Sequence, residues 1–331
     1  MLKNSARTLY LAGGAVLATA SAGWSGSEAW AQQYPMKPIR IVVPNAAGGT
    51  NDSLARFVAE RLTEAFRQQV VVENRPGANG IIGIEIVVKA PPDGYTIVLA
   101  SAGNIAINPG LYGSKLPFNP ETDLAPVTLV ASTTQVLVAH PSLPVKSVKE
   151  LISLAKAKEN SLDYASAGNG STPHLNMVLF ASMAGIKLNG IVYKGSTPGR
   201  LAIVAGEVPL MVDGMIPSLP LIQSGRLRAL GVTSAKRSPA LPGVPTVAET
   251  VPGYLGEIWY GVLAPAATPK EVIARLHAEI VNAFKSPDVK ARFATQGADI
   301  VANNPAEFGA FIKKEIVKWT KVIRDSGAKV E

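Results

Sequence analysis

A chain of 331 residues with 47% hydrophobic and 17% charged content can bury more than one core and is too apolar for a disordered polymer. The formal charge of +8 comes from cations that never run beyond pairs such as Lys236-Arg237 and Lys313-Lys314. This excludes a nucleic-acid stripe and leaves a mild attraction for anions. With no cysteine, the chain has no disulfide framework, no thiol chemistry and no thiol to carry a lipid anchor.

The first 31 residues have the layout of a secretory signal. Lys3 and Arg7 precede an apolar stretch from about Leu9 to Ala22, and small residues follow at Ala29 and Ala31. Cleavage is expected after Ala31, with Ala22 as a second candidate. An uncleaved anchor fits less well, because the apolar run is short and Gly13 and Gly14 interrupt it. Beyond residue 31, charge, Pro or Gly breaks every apolar run before it reaches membrane-spanning length. The remaining chain carries 30 cations against 23 anions, so the basic bias belongs to the exported protein.

Further along, strand and helix patterns alternate. Strands are expected at Ile39 to Val43, Val70 to Glu73, Thr96 to Leu99, Val127 to Ser132, Gln135 to Ala139 and Leu162 to Ser166. Five more follow at Gly190 to Tyr193, Val208 to Asp213, Arg228 to Thr233, Ile258 to Leu263 and Asp299 to Ala302. Helix starts are written in "SVKE" from Ser147, "TPKE" from Thr268 and "NPAE" from Asn304, each with a capping side chain three residues before a Glu. The last helix aligns Phe308, Phe311, Ile312, Ile316, Trp319 and Ile323, which makes its lysines a solvated face. The Pro-rich stretch from Ala240 to Tyr254 is read as an ordered surface excursion.

Alternation of this kind predicts an α/β fold of mainly parallel sheets, and such sheets bind ligands beyond the C-terminal ends of their strands. Five loops there are small and polar: 44–52 (PNAAGGTND), 100–104 (ASAGN), 165–174 (ASAGNGSTPH), 193–197 (YKGST) and 212–218 (VDGMIPS). Gly48 and Gly49 allow unusual backbone angles and let the main chain approach a ligand; a plain glycine turn, with Asp52 favouring the first helical turn, is the simpler alternative. Backbone N–H groups at helix starts suit a carboxylate or similar oxyanion.

Reactive groups are scarce by comparison. His140, His174 and His277 lie far apart, so no metal site is expected. The glycine loops match neither a P-loop nor a dinucleotide fingerprint, G-x-S-x-G is absent, and the one S-x-x-K (153–156) sits inside a helix. The rival reading is an exported α/β hydrolase using Ser171 with His174, though three residues at a helix start place a nucleophile and base poorly.

Nine segments in order carry a resemblance: VPNAAGGTNDSLAR, NRPGANGIIG, PPDGYT, LPVKSVKELI, YASAGNGSTPHL, VYKGSTP, GRLRALGVTSAKRSPALPGVPTVAE, WYGVLAPAATP and PAEFGAFIKKEIVKW. Together they resemble the Bug-type substrate-binding receptors of tripartite tricarboxylate transporters. The resemblance implies a two-lobed periplasmic-binding-protein (type II) fold that closes on a small organic carboxylate. It places one lobe at 32–131 plus 234–331 and the other at 132–233. It implies no enzyme activity and no cofactor, and as partners one large and one small integral membrane subunit, with the receptor a monomer. In the first lobe it implies a carboxylate-holding loop of Asn45, Ala46, Ala47, Gly48, Gly49, Asn51 and Asp52. In the second it implies Ser166, Asn169, Gly170, Ser171 and His174, with Tyr193, Lys194, Gly195, Ser196 and Asp213 near the other end of the ligand. Ser101 and Asn104 join the site by loop position. Asn45 and Ala47 stand where the family often carries an aromatic residue and a proline. Lys194 either pairs with a distal carboxylate or with a surface acid, and Asp213 suits either an ammonium group or backbone donors.

Overall fold

The computed structural model describes residues 34–157 and 162–326. The export segment, with its candidate cleavage points at Ala22 and Ala31, lies outside the described residues. All eleven expected strands form, in two sheets. The first contains β1 (Ile39–Val43), β2 (Val70–Asn74), β3 (Thr96–Ser101), β4 (Leu124–Thr133), β10 (Ile258–Pro265) and β11 (Ala298–Ile300), in the order β11-β4-β10-β3-β1-β2. The second contains β5 (Gln135–Ala139), β6 (Asp163–Ser166), β7 (Asn189–Val192), β8 (Leu210–Gly214) and β9 (Arg228–Val232), in the order β7-β6-β8-β5-β9.

Direction within each sheet follows from how the chain enters it. Strands β1, β2 and β3 pair in parallel, while β10 arrives from the other lobe and lies antiparallel between β3 and β4. In the second sheet β5 is the incoming strand, antiparallel to both β8 and β9 among otherwise co-directional strands. The central strands are covered on both faces, which is why they read as unbroken apolar runs: Ile41, Val42, Val43 and Ile97 to Ala100 are all fully buried.

Among the described residues, ten α-helices flank the sheets. They are α1 (Thr50–Phe66), α2 (Ile81–Val88), α3 (Asn108–Tyr112), α4 (Val148–Ala157), α5 (Thr172–Ala184), α6 (Ser196–Ala205), α7 (Met215–Gln223), α8 (Lys270–Ala283), α9 (Pro287–Ala294) and α10 (Pro305–Ser326). Two of the three expected helix starts form as read. Glu307 N–H donates to Asn304 Oδ1 at 2.9 Å and Asn304 N–H donates back to Glu307 Oε2 at 3.2 Å, a reciprocal capping box. Ser147 Oγ accepts from Glu150 N–H at 3.2 Å. At "TPKE" the expectation is corrected: Pro269 is the N-cap, and buried Thr268 Oγ1 caps nothing. A start the pattern reading passed over, Thr246 with Glu249, forms a full capping box.

The chain crosses between sheets at Thr134 and returns just before Ile258. Between β9 and β10, Ala240, Leu241 and Val244 pack on one face of the second sheet and Val247, Val251 and Tyr254 on the other. Local pattern could not show this, since a Pro-rich loop carries no periodic signal. On α10, Phe308, Ile312, Trp319 and Ile323 are buried and Lys313 and Lys314 exposed, as the spacing predicts. No helix among the described residues is long and apolar enough to cross a membrane.

Candidate functional site

Four helices begin at one cavity between the two sheets. It is lined by Asn45, Ala46, Gly49, Thr50 and Asn51 at the start of α1, Ser171, Thr172 and Pro173 at α5, Gly195 and Ser196 at α6, and Asp213 and Gly214 at α7. Asn79, Ser101, Gly103, Asn104, Gln135, Ala167, Ile258 and Tyr260 complete the wall. The N-caps of α1, α6 and α7 are Gly49, Gly195 and Gly214, which supply no side-chain acceptor to the first-turn N–H groups. Partial positive charge from three such ends therefore points into a space of about 50 Å³. Five of the lining residues, Asn45, Ala46, Asn79, Ala167 and Gly195, also line an adjoining groove of about 660 Å³.

Small residues at these strand ends do two jobs. Gly48 has φ +77° and so turns the chain where a side chain would be strained. Its N–H donates to Asp52 Oδ2 at 3.0 Å, and Arg56 Nε donates to the same oxygen at 2.9 Å. Burial opposes ionisation of Asp52, but Arg56 and the Gly48 amide outweigh it and hold the carboxyl below its usual range. Asp52 thus ties the loop to its own helix, and it does not line the cavity. Gly49, with ordinary extended angles, is the glycine that faces the space.

The second-lobe loop divides in the same way. Ser171 caps α5, its Oγ accepting from His174 N–H at 3.3 Å. His174 Nδ1 accepts from Gly170 N–H at 3.1 Å, and the ring stacks on Tyr164 with centroids 6.5 Å apart. Burial pushes the imidazole pKa down, which favours the neutral ring that this acceptor role requires. Both groups of the hydrolase reading are therefore engaged with the backbone, and neither bonds to the other side chain. Ser166, buried at the end of β6, accepts from Gly168 N–H at 3.3 Å. Neither Ser166, Gly170 nor His174 lines the cavity; together they shape its loop.

Of the other sequence-derived candidates, Ser101 and Asn104 lie in the wall, bonded to each other at 2.9 Å. Asn169, Tyr193 and Lys194 line the outer groove. Ala47 and Gly48 lie beside the cavity at the seam between lobes: Ala47 O accepts from Thr197 Oγ1 at 2.6 Å and Gly48 O from Arg200 at 2.9 Å. Asp213 is fully buried, and its Oδ2 accepts from Arg200 and from Ser218 Oγ, each at 2.7 Å.

Several wall residues are not among the candidates drawn from the sequence. Asn79, at φ 50°, donates to Asn108 Oδ1 at 2.6 Å and to Gly170 O across the cleft at 3.0 Å, while its own carbonyl accepts from Asn104 and Asn108. The Asn-Gly pair at 79–80, following a strand, was the available clue. Gln135 and Tyr260 lie in or beside ordinary apolar patterns and only the fold gathers them, whereas Thr172 falls in the small polar loop 165–174. Burial raises the Tyr260 hydroxyl to about 12, so the wall offers it as a neutral group. Among the described residues, no cluster of His, Cys, Asp or Glu could hold a metal ion.

Residues 54–328 match the family model described as the tripartite tricarboxylate transporter family receptor. The chain belongs to this receptor family. BugT of Bordetella pertussis is 38% identical over 303 residues, covering 91% of this chain and 93% of BugT. Among solved structures, R. palustris Rpa4515 with adipate superimposes with a TM-score of 0.87 at 37% identity, over 89% of this chain and 99% of that one. MatC from Rhodopseudomonas palustris with bound malate gives a TM-score of 0.83 at 29% identity, over 88% and 100%. Family membership makes the protein a solute-binding receptor of the Bug type rather than an enzyme, in agreement with the backbone-engaged Ser171 and His174.

Proposed function

We propose that this receptor works in the periplasm, capturing a small organic carboxylate between its two lobes and delivering it to the large and small membrane subunits of a tripartite transporter. The observation that carries the reading is the convergence of helix starts with glycine N-caps on one cavity. A carboxylate placed there exchanges water for N–H donors already oriented by the helices, which offsets the cost of desolvating its charge. The inner cavity has room for the head of such a ligand, and the rest of the molecule extends past Asn45 and Gly195 into the outer groove beside Tyr193 and Lys194.

Adipate and malate, bound by the two structural relatives, are carboxylates of this size. Lobe closure is the working motion, and the hydrogen bonds of Thr197, Arg200 and Asn79 across the cleft are the contacts it would make and break. A thermal-shift screen of mono-, di- and tricarboxylates tests the reading. A true ligand at about 100 times its Kd adds roughly 2.7 kcal/mol to stability and raises the melting temperature. A panel that leaves the melting temperature unmoved at millimolar concentration sinks the proposal.

A further inference from the structure

Asp213 carries one satisfied and one unsatisfied oxygen. Oδ2 takes hydrogen bonds from Arg200 and Ser218, while Oδ1 is buried without a hydrogen-bond partner among the described residues. The residue is fully buried and lines the same cavity as the helix starts. Thr172 Oγ1, also buried in that wall, has no partner either. A buried carboxylate oxygen left without a donor is costly, so the cavity is built for an occupant that brings one.

Arg200 decides what kind of donor. Its guanidinium is 8% exposed and meets Asp213 at 2.7 Å, so the pair presents no net charge to the ligand. An ammonium group would leave its hydration shell without a net negative charge to receive it, whereas a hydroxyl needs only an acceptor. Asp213 lines the same cavity as the helix starts, so a hydroxyl carried close to the carboxylate held there is the donor it would meet. We infer that the Arg200–Asp213 pair is a selectivity device and that the receptor takes a carboxylate bearing a nearby hydroxyl, in preference to its amino, oxo or unsubstituted counterpart. This rests on the carboxylate-receptor reading above.

The orientation of the pair supplies a discriminating variant. Arg200 and Ser218 both donate to Oδ2, so in Asp213→Asn they would select the amide oxygen for that position and turn the NH₂ toward the cavity. An acceptor is thereby replaced by a donor without change of shape. In Arg200→Gln the carboxylate stays and its counter-charge goes.

The test is calorimetric titration of the full exported protein with 2-hydroxy, 2-oxo, 2-amino and unsubstituted forms of three-, four- and six-carbon acids. In the unaltered protein, the hydroxy form of at least one chain length should bind at least tenfold tighter than its three counterparts. Asp213→Asn should shift the hydroxy-to-oxo ratio at least tenfold toward the oxo acid. Arg200→Gln should shift the hydroxy-to-amino ratio at least tenfold toward the amino acid, a ratio that is insensitive to general weakening of closure. If Arg200→Gln does not fold, the Asp213→Asn ratio decides alone. Carboxylates that bind without these preferences overturn the inference and leave the receptor reading standing; failure of every carboxylate to bind overturns both.

Discussion

Thr197, in the first turn of α6, donates its hydroxyl to the carbonyl of Ala47 at 2.6 Å, joining the second lobe to the glycine loop of the first. The bond joins the two lobes and lies within neither, so under the proposed closing motion it contributes to the closed state. Thr197→Val should weaken ligand binding by about 0.5–1.5 kcal/mol, roughly two- to tenfold, because Ala47 is exposed and its carbonyl can turn to water. The melting temperature of the unliganded protein should hold. Calorimetry beside small-angle scattering checks this: unchanged affinity with an unchanged radius of gyration would remove Thr197 from the closing mechanism.

Gly49 and Gly80 are small for different reasons, and substitution separates them. A Cβ on Gly49 would come no nearer than 3.6 Å to Ala46 O, and its backbone angles suit any residue. Gly49→Val should therefore fill the cavity and abolish the ligand-induced thermal shift, with little loss of stability. Gly80 has φ +84°, and a Cβ there would lie 3.0 Å from both Asn104 Cγ and Pro44 Cβ. Gly80→Ala should cost at least about 1–2 kcal/mol from the backbone conformation alone, and urea denaturation measures it. A destabilised Gly49→Val would reassign that residue to the fold.

What was legible in the sequence were features written in neighbouring residues. Most strands were marked by an apolar run, and the cleft by five loops of small polar residues at strand ends. The division of labour within those loops was not legible, because it depends on where hydrogen bonds point. Asp52 and His174 look like ligand contacts in a linear reading, yet they bond to the amides of Gly48 and Gly170 in their own loops. Arg200 had no local signal at all. It sits in the first helical turns after "YKGST", and only the return of β8 brings Asp213 to within 2.7 Å of it. The packing of the Pro-rich stretch was hidden for a similar reason: Val247, Val251 and Tyr254 are buried by tertiary contacts that no periodicity announces.

Glu315 holds two tryptophans in the first lobe. Its Oε2 accepts from Trp259 Nε1 at 3.0 Å on β10 and from Trp319 Nε1 at 3.1 Å on α10, pinning the C-terminal helix to the sheet. Both rings are almost completely buried, so removing the acceptor leaves two indole N–H groups without a partner. Each orphaned donor costs about 1–3 kcal/mol, and Glu315→Ala should destabilise the protein by at least that much. Urea unfolding followed by tryptophan fluorescence reads both the stability and the altered indole environment. A variant within about 0.5 kcal/mol of the unaltered protein would show that α10 is held by apolar packing alone.

His174 should make stability depend on pH below neutrality. Burial lowers its folded pKa from the ordinary 6.5, so the neutral ring is the native form. Above 6.5 neither state binds the proton and the group contributes nothing to the slope. As pH falls through that value the unfolded chain takes up a proton that the folded one resists, and stability declines until the folded pKa is passed. Protonation of Nδ1 would also remove the acceptor for Gly170 N–H and loosen the loop between β6 and α5. Unfolding free energy measured by urea titration from pH 7.5 to 5 should fall for the unaltered protein and fall less for His174→Gln, while the ligand-induced thermal shift should weaken over the same interval only in the unaltered protein. Parallel pH curves for the two proteins would mean that the ring titrates alike in both states and does not shape the loop.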